Sequence, residues 1–243
     1  MVDIHCHILP GVDDGAENWD RTVAMCQMAL EDGITHIVAT PHANHAYSYD
    51  RRQNQQLLAE LRTRIGSAPV LSLGCDFHFS FDNVESLRRD PTQFTIGETG
   101  YLLVELSDYS IPPNFGQHLF ELLAAGICPV ITHPERYALL QKRPQQILDW
   151  AAVGALIQIT ANSTTGHWGK AAQKLSRWLL DHDAVHVIAT DAHDTEGRPP
   201  LMSSAFSLVS QWKGLDIARA LVEDNPAAIV RGEPLPYAPL VKR

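Results

Sequence analysis

An α/β barrel of parallel strands is the fold class that the sequence predicts, and four observations carry it. Seven short apolar runs alternate with helix-length segments, which favours a closed or nearly closed barrel over an open sheet. No composition shift, linker, internal repeat or low-complexity tract divides the chain, so residues 1–243 read as one domain. At 45% apolar content such a chain can bury a sizeable core. The polar residues able to do chemistry gather at the C-terminal ends of the runs, where α/β barrels build their active sites.

The first run covers 2–7 and leads into a helical stretch near 17–32, stopped by Asp32-Gly33. "THIVAT" (35–40) precedes a helix near 52–65, and "VLSLGCD" (70–76) forms the third strand. "YLLVEL" (101–106) is followed by a helix near 114–125 that ends at Ala125-Gly126. "CPVITH" (128–133), "ALIQIT" (155–160) and "VHVIATD" (185–191) complete the strands, with helices near 144–153, 168–182 and 200–212. A last helix near 215–223 runs into "DNPAAIVRGEPL", read as a short capping turn.

The formal net charge of −9 excludes a general nucleic-acid binder, which needs a basic footprint. No run of 18 apolar residues is long enough for membrane insertion. Met1 leads directly into the first strand without a basic segment and apolar stretch, so a cytoplasmic protein is expected. Cys6, Cys26, Cys75 and Cys128 are far apart without CxxC spacing and read as buried thiols.

"DIHCHILPGVDDG" (Asp3–Gly15) opens the chemistry: strand alternation puts His5 and His7 on one face and Cys6 on the other. Asp14 lies in the loop behind them. The second strand ends "ATPHANH" with His42, and the third ends "GCDFH" with Asp76 and His78. Glu105 stands in "LLVELSD", His133 and Arg136 in "ITHPERY", and Asp191 and His193 in "ATDAHD". Six of the seven strand ends therefore carry His, Asp or Glu, too many for a chance register. Imidazoles and carboxylates without thiolates suit manganese, iron, zinc or another divalent metal. Nine candidate ligands exceed what one ion uses, so two or three are expected. Three divalent ions would outweigh the four carboxylates, draw in an anionic ester, lower the pKa of a bridging water and clamp the reacting oxygens.

The stretches "DIHCHILPGVDDG", "IVATPH", "HPERY", "ANSTTGHWG" and "TDAHDTEGRPP" resemble the PHP (polymerase and histidinol phosphatase) superfamily. More closely, they resemble its manganese-dependent bacterial tyrosine-protein phosphatases of capsule and exopolysaccharide clusters. That resemblance implies a distorted seven-stranded TIM-like β/α barrel, a trinuclear Mn2+ site and, as partner, a tyrosine-phosphorylated bacterial tyrosine kinase. It implies that His5, His7 and Asp191 hold one metal, with Asp76 bridging to a second held by Glu105 and His133. Asp14, His42 and His193 would hold the third, and Arg136 would meet the phosphoryl oxygens. The family usually has Glu at the position of Asp76, and His78 is a candidate to compensate for the shorter acid.

Other readings stay beside these. His36, His45, His118, His167, His182 and His186 match no ligand position and read as surface or core residues. Asp13 reads as a turn residue next to Asp14. Asn162, Ser163, Gly166 and Gly169 either line an anion pocket or form an ordinary turn, and Arg198 either touches substrate or braces a loop. Tyr47, Tyr49, Phe77, Phe79 and Tyr109 are candidate rim aromatics. No general acid is evident beyond the ligands, and His42 or Asp14 would serve if the third metal is lost. Three functions fit: a tyrosine phosphatase, a phosphoesterase of a small metabolite such as histidinol phosphate, and a metal-bound partner of a kinase without activity. The sequence leaves an oligomer open.

Overall fold

The computed structural model describes residues 1–241, in which every paired strand is parallel. The chain begins β1 (Val2–Cys6), α1 (Trp19–Glu31), β2 (His36–Ala39), β3 (His42–Ala43) and α2 (Arg51–Ile65). It continues β4 (Val70–Leu73), β5 (Asp76–His78), α3 (Phe81–Arg89), β6 (Tyr101–Glu105), α4 (Phe115–Ala124) and β7 (Cys128–Thr132). Then come α5 (Ala138–Lys142), α6 (Gln145–Val153), β8 (Leu156–Thr160), α7 (Ala161–Thr165), α8 (Gly169–Asp181) and β9 (Val187–Ala189). Helices α9 (Ser203–Lys213), α10 (Leu215–Arg219) and α11 (Asn225–Arg231) close the chain. Among the described residues no helix is long and apolar enough to cross a membrane.

One sheet has the order β1-β2-β4 and the other β3-β5-β6-β7-β8-β9. The second and third expected strands are each split. Pro41 lacks an N–H and interrupts the ladder between β2 and β3. Between β4 and β5, a Cβ on Gly74 would stand 3.0 Å from Ile96 Cγ1, so the backbone there is closely packed. Pairing resumes across both breaks, where Gly74 N donates to Ala39 O at 2.8 Å and Asp76 N to Pro41 O at 3.1 Å. Past β9, Asp191 N donates to His5 O and His7 N to Ala192 O, both at 2.8 Å. A parallel bridge joins Cys6 to Ala192, so the chain after β9 lies beside the end of β1.

Helix starts follow their caps: Asn18, Asp50 and Ser80 accept from the backbone N–H of Arg21, Gln53 and Asn83. α3 is a helix the sequence reading passed over, because it is short, most of its residues are polar and only Leu87 of it is buried. The expected capping turn after residue 223 is helix instead. One wide π turn over Ala220–Asp224 precedes Pro226, so the helix passes the proline rather than stopping.

Apolar side chains form two clusters. The larger joins one face of the strands (Ile37, Val104, Ile131, Ile157, Ile188) to helix residues such as Met25, Leu61, Phe115 and Leu179. The smaller takes the alternate strand residues Val38, Leu103, Val130 and Val187. Strict alternation would put Ile4 and Cys6 in one cluster, yet they lie in different ones. A register irregularity between Asp3 and Cys6 accounts for this, and it falls on the strand that carries His5. His186, expected to be a surface or core residue, is buried just before β9, where its Nδ1 accepts from Ile157 N at 3.1 Å.

Candidate metal centre

Each strand end presents its donor for a local reason. His5 lies in β1 and His7 just past it, after which the chain doubles back so that Ala16 N donates to His7 O at 3.0 Å. Gly15 is needed there, since a Cβ would stand 2.2 Å from His7 O. The return carries Asp13 and Asp14 back over the histidines. His42 opens β3, Asp76 opens β5 and Glu105 ends β6. His133 and Asp191 follow β7 and β9 with φ of 36° and 54°, left-handed backbone that is unfavourable for a non-glycine residue. Such conformations concentrate where side-chain placement outweighs backbone comfort.

All nine residues singled out in the sequence come together. Four overlapping groups, each with donor atoms within 4.8 Å of one another, contain them: His7–Asp14–His42–His193, His5–His7–Asp76, His5–His133–Asp191 and His42–Asp76–Glu105. Within these groups His133 stands with His5 and Asp191, and His42 stands beside Asp76 and Glu105. His78 lies outside the four groups and contacts Glu105 Oε2 through Nδ1 at 3.3 Å.

The donor set fits a cation. Gln158 Oε1 accepts from His5 Nδ1 at 3.0 Å, and Asp13 Oδ2 accepts from His7 Nδ1 at 2.7 Å. Both imidazoles therefore face the centre with Nε2, and those two atoms are 3.2 Å apart. His193 follows the same rule, giving its Nδ1 proton to Asp191 O at 3.0 Å. His5 Nε2 lies 3.3 Å from Asp191 Oδ1 and 3.5 Å from Asp76 Oδ2, and His42 Nε2 is 3.3 Å from Asp14 Oδ1. Donors about 2.1 Å from a shared ion stand about 3.0–3.4 Å apart in octahedral or tetrahedral geometry. Both oxygens of Asp76, His42 Nδ1, His133 Nδ1 and His193 Nε2 are buried without a hydrogen-bond partner. His42 Nδ1 is 3.2 Å from Asp76 Oδ2, but the angles are not those of a hydrogen bond.

Electrostatics point the same way. Burial pulls His5 down, yet Asp76 and Asp191 outweigh it and hold its pKa up at about 9. His42 is likewise raised, to about 11, by Asp14 and Asp76 against burial. Asp76 and Asp191 lie well below the usual carboxylate range: burial works against this, and His5 with its cationic neighbours overcomes it. Glu105 is pushed up by burial and by Asp76. A pocket that holds protons this firmly has surplus negative charge for divalent ions to take over.

Asp13, read from sequence as a turn residue, is the partner that orients His7. Its Oδ1 accepts from Gly15 N at 3.0 Å, and its Oδ2 takes both the His7 proton and His42 N, the latter at 3.1 Å. Asp13→Ala is expected to lower metal affinity about 10–100-fold, read as metal retained after dialysis, with Asp13→Asn less affected.

The family model for capsular polysaccharide synthesis, CpsB/CapC, matches residues 1–231. The chain belongs to this family. It is similar to the tyrosine-protein phosphatase CpsB of Streptococcus pneumoniae, 28% identical over 95% of this chain and 98% of that protein. It is also similar to the tyrosine-protein phosphatase YwqE of Bacillus subtilis, 29% identical over 100% of this chain and 98% of that one. Among solved structures, one of those of YwqE and CpsB, described as unique metal-dependent tyrosine phosphatases, aligns with a TM-score of 0.92 at 28% identity over all of both chains. A β-aspartyl dipeptidase from Fervidobacterium islandicum shares the fold alone, with a TM-score of 0.60 at 12% identity over 98% of this chain and 75% of that one.

In this CpsB/CapC-family chain the residues expected at the substrate side separate. Arg136 Nη1 and Arg198 Nη2 both pair with Asp191 Oδ2, so two cations stand at the edge of the donor cluster. Ser163 does not reach it: the residue is fully buried, and its hydroxyl is 2.7 Å from Thr160 Oγ1 at the start of α7. Asn162 lines a separate cavity with His167 and Pro199. Of the rim aromatics, Phe77 is buried against Phe94, Phe79 packs on Phe115, and the Tyr49 hydroxyl donates to Gly74 O. Tyr47 does stand at the centre, stacked on His42 with 6.1 Å between rings, and Tyr109 is exposed.

Proposed function

We propose that this chain is a metal-dependent protein-tyrosine phosphatase acting on a phosphorylated bacterial tyrosine kinase that regulates capsular or exopolysaccharide synthesis. The observation that carries the metal is the pair of facing Nε2 atoms of His5 and His7, 3.2 Å apart, with both Nδ1 protons committed elsewhere. Family membership and the named activities of CpsB and YwqE support the reaction. Manganese, as two or three ions, is our assignment for an imidazole–carboxylate set without thiolates. The nine donors His5, His7, Asp14, His42, Asp76, Glu105, His133, Asp191 and His193 would hold them. We place the protein in the cytoplasm, where a kinase using ATP acts on its tyrosines. We read the two sheets as one distorted seven-lane β/α barrel and 1–243 as a single domain, a reading supported by the Cys6–Ala192 bridge.

When bound, the ions supply positive charge for the phosphate and lower the pKa of a water. The protein does the rest. Asp13, Gln158 and the Asp191 carbonyl fix three imidazoles in the tautomer that leaves Nε2 free. Arg136 and Arg198 meet phosphoryl oxygens, for which a guanidinium fork is better matched than an ammonium. With only two ions bound, His42 and Asp14, the latter with a side chain 47% exposed, are left to pass a proton towards a departing oxygen. Tyrosinate asks little of them, since phenol has a pKa of about 10, whereas an alkoxide is poorer by several units.

Phosphotyrosine peptides should accordingly be hydrolysed at least about tenfold faster than matched phosphoserine peptides, a difference of about 1.4 kcal/mol in barrier. The measurement is phosphate release at fixed manganese and pH. Equal rates, or a clear preference for histidinol phosphate, would move the assignment to a phosphoesterase of small metabolites.

A further inference from the structure

Arg136 and Arg198 converge on a single oxygen, Asp191 Oδ2, the second at 2.6 Å. Two guanidinium groups at one atom repel each other, and one carboxylate charge offsets only one of them. The other partner they share is an indole. Arg136 Cζ lies 4.0 Å from the centroid of the Trp168 ring and Arg198 Cζ lies 5.5 Å from it. An aromatic face attracts a cation within about 6 Å of its centroid.

The backbone builds this placement. Gly166 and Gly169, with φ of 90° and 86°, flank His167-Trp168 and let the chain turn a corner between α7 and α8. His167 N and Trp168 N both donate to Asn162 O, at 2.9 and 3.4 Å. His167 Nε2 donates to Gly197 O at 3.0 Å, tying the corner to the turn that carries Arg198. That turn is itself fixed by Asp194 Oδ1, which accepts from Gly197 N at 2.6 Å and Arg198 N at 3.1 Å. Trp168 thus joins two loops and touches both arginines.

We propose that Trp168 is a positioning residue for substrate, its ring face holding Arg136 and Arg198 side by side as a two-pronged receptor for phosphoryl oxygens. The inference rests on the phosphoryl role given to the two arginines above. An arriving phosphate monoester competes with Asp191 for both guanidinium groups, and the indole keeps them together while they exchange partners. Without the ring face, their mutual repulsion drives them apart and the phosphate must order them again. Trp168 acts through the arginines, so its loss weakens binding of ester and of free phosphate alike and raises KM more than it lowers kcat.

The test compares Trp168→Leu, which keeps apolar bulk without a π face, with Trp168→Phe, which keeps the face. On manganese-loaded protein, calorimetry with inorganic phosphate should show affinity about tenfold weaker in the Leu variant and within about threefold of the parent in the Phe variant. KM for a phosphotyrosine peptide should move in parallel, with kcat within about threefold and metal content unchanged. If the Leu variant does not fold, Trp168→Met takes its place with the same expected loss. Equal phosphate affinity in the Leu (or Met) and Phe variants overturns the proposal, and so does failure of both Leu and Met to fold. Calorimetry needs no turnover. A parent that binds phosphate through Trp168 without hydrolysing phosphotyrosine would sink the phosphatase reading and leave this inference standing.

Discussion

Exhaustive removal of divalent metal is expected to lower phosphate release from a phosphotyrosine peptide by about a thousandfold or more, and manganese should restore it. Metal ions contribute several kcal/mol to such reactions, and about 4 kcal/mol corresponds to a thousandfold in rate. The described side chains offer no substitute. A cysteine-based phosphatase needs a thiolate with an arginine six residues on, and none of Cys6, Cys26, Cys75 and Cys128 has one. Burial also pushes the thiols away from reactivity, Cys6 and Cys75 far above their ordinary range and Cys26 to about 12. With no reactive thiol for a cysteine-based route, the reaction is expected to use metal-activated water. The measurement is turnover after chelation and desalting, with metal content determined on the same sample. Undiminished turnover in a demonstrably metal-free sample would end the metal-dependent reading.

The strands were legible as short apolar runs, and the His, Asp and Glu residues at six of the seven ends, with Asp14 in the loop after the first, named all nine donors. The backbone that presents them was less legible. The left-handed backbone at His133 has no sequence signal, since histidine, unlike glycine, does not announce it. Asp13 was missed for a related reason: in "VDDG" either aspartate can occupy the turn. Only the close approach of Gly15 to His7 decides which one hydrogen-bonds to the imidazole. Gln158 sits inside β8 as a polar residue in an otherwise apolar run, and that buried amide in "ALIQIT" was a usable clue. For "ANSTTG" composition alone left an anion pocket and an ordinary turn both open, and the contact of the Ser163 hydroxyl with the helix-capping Thr160 favours the turn. The pairing of Trp168 with two arginines depends on loops after different strands and leaves no local trace.

Asp76 is where a single substitution should cost most. Its carboxylate is fully buried, neither oxygen has a hydrogen-bond partner, and it belongs to two of the four donor groups. Desolvating a carboxylate is expensive unless cations surround it. Asp76→Asn keeps the shape and removes the charge, so turnover is expected to fall about 100-fold or more. Even partners that only orient a ligand are worth about 10–100-fold. Metal content should fall as well, because one lost donor loosens two groups. Asp76→Glu is the finer test, since Glu is the residue that the family resemblance implies at this position. His5 Nε2 and His42 Nδ1 already lie 3.5 and 3.2 Å from Asp76 Oδ2, and the backbone on either side is paired to His42 and Leu103. An extra methylene therefore has no space to enter. Overpacking of this kind costs about 1–3 kcal/mol, so Asp76→Glu should lower the rate by about tenfold while the fold melts at a reduced temperature. A Glu variant that instead binds more metal or turns over faster would mean that the shorter acid leaves the centre under-filled. Side-chain distances that now look tight would then be the contraction of a pocket built for one more carbon.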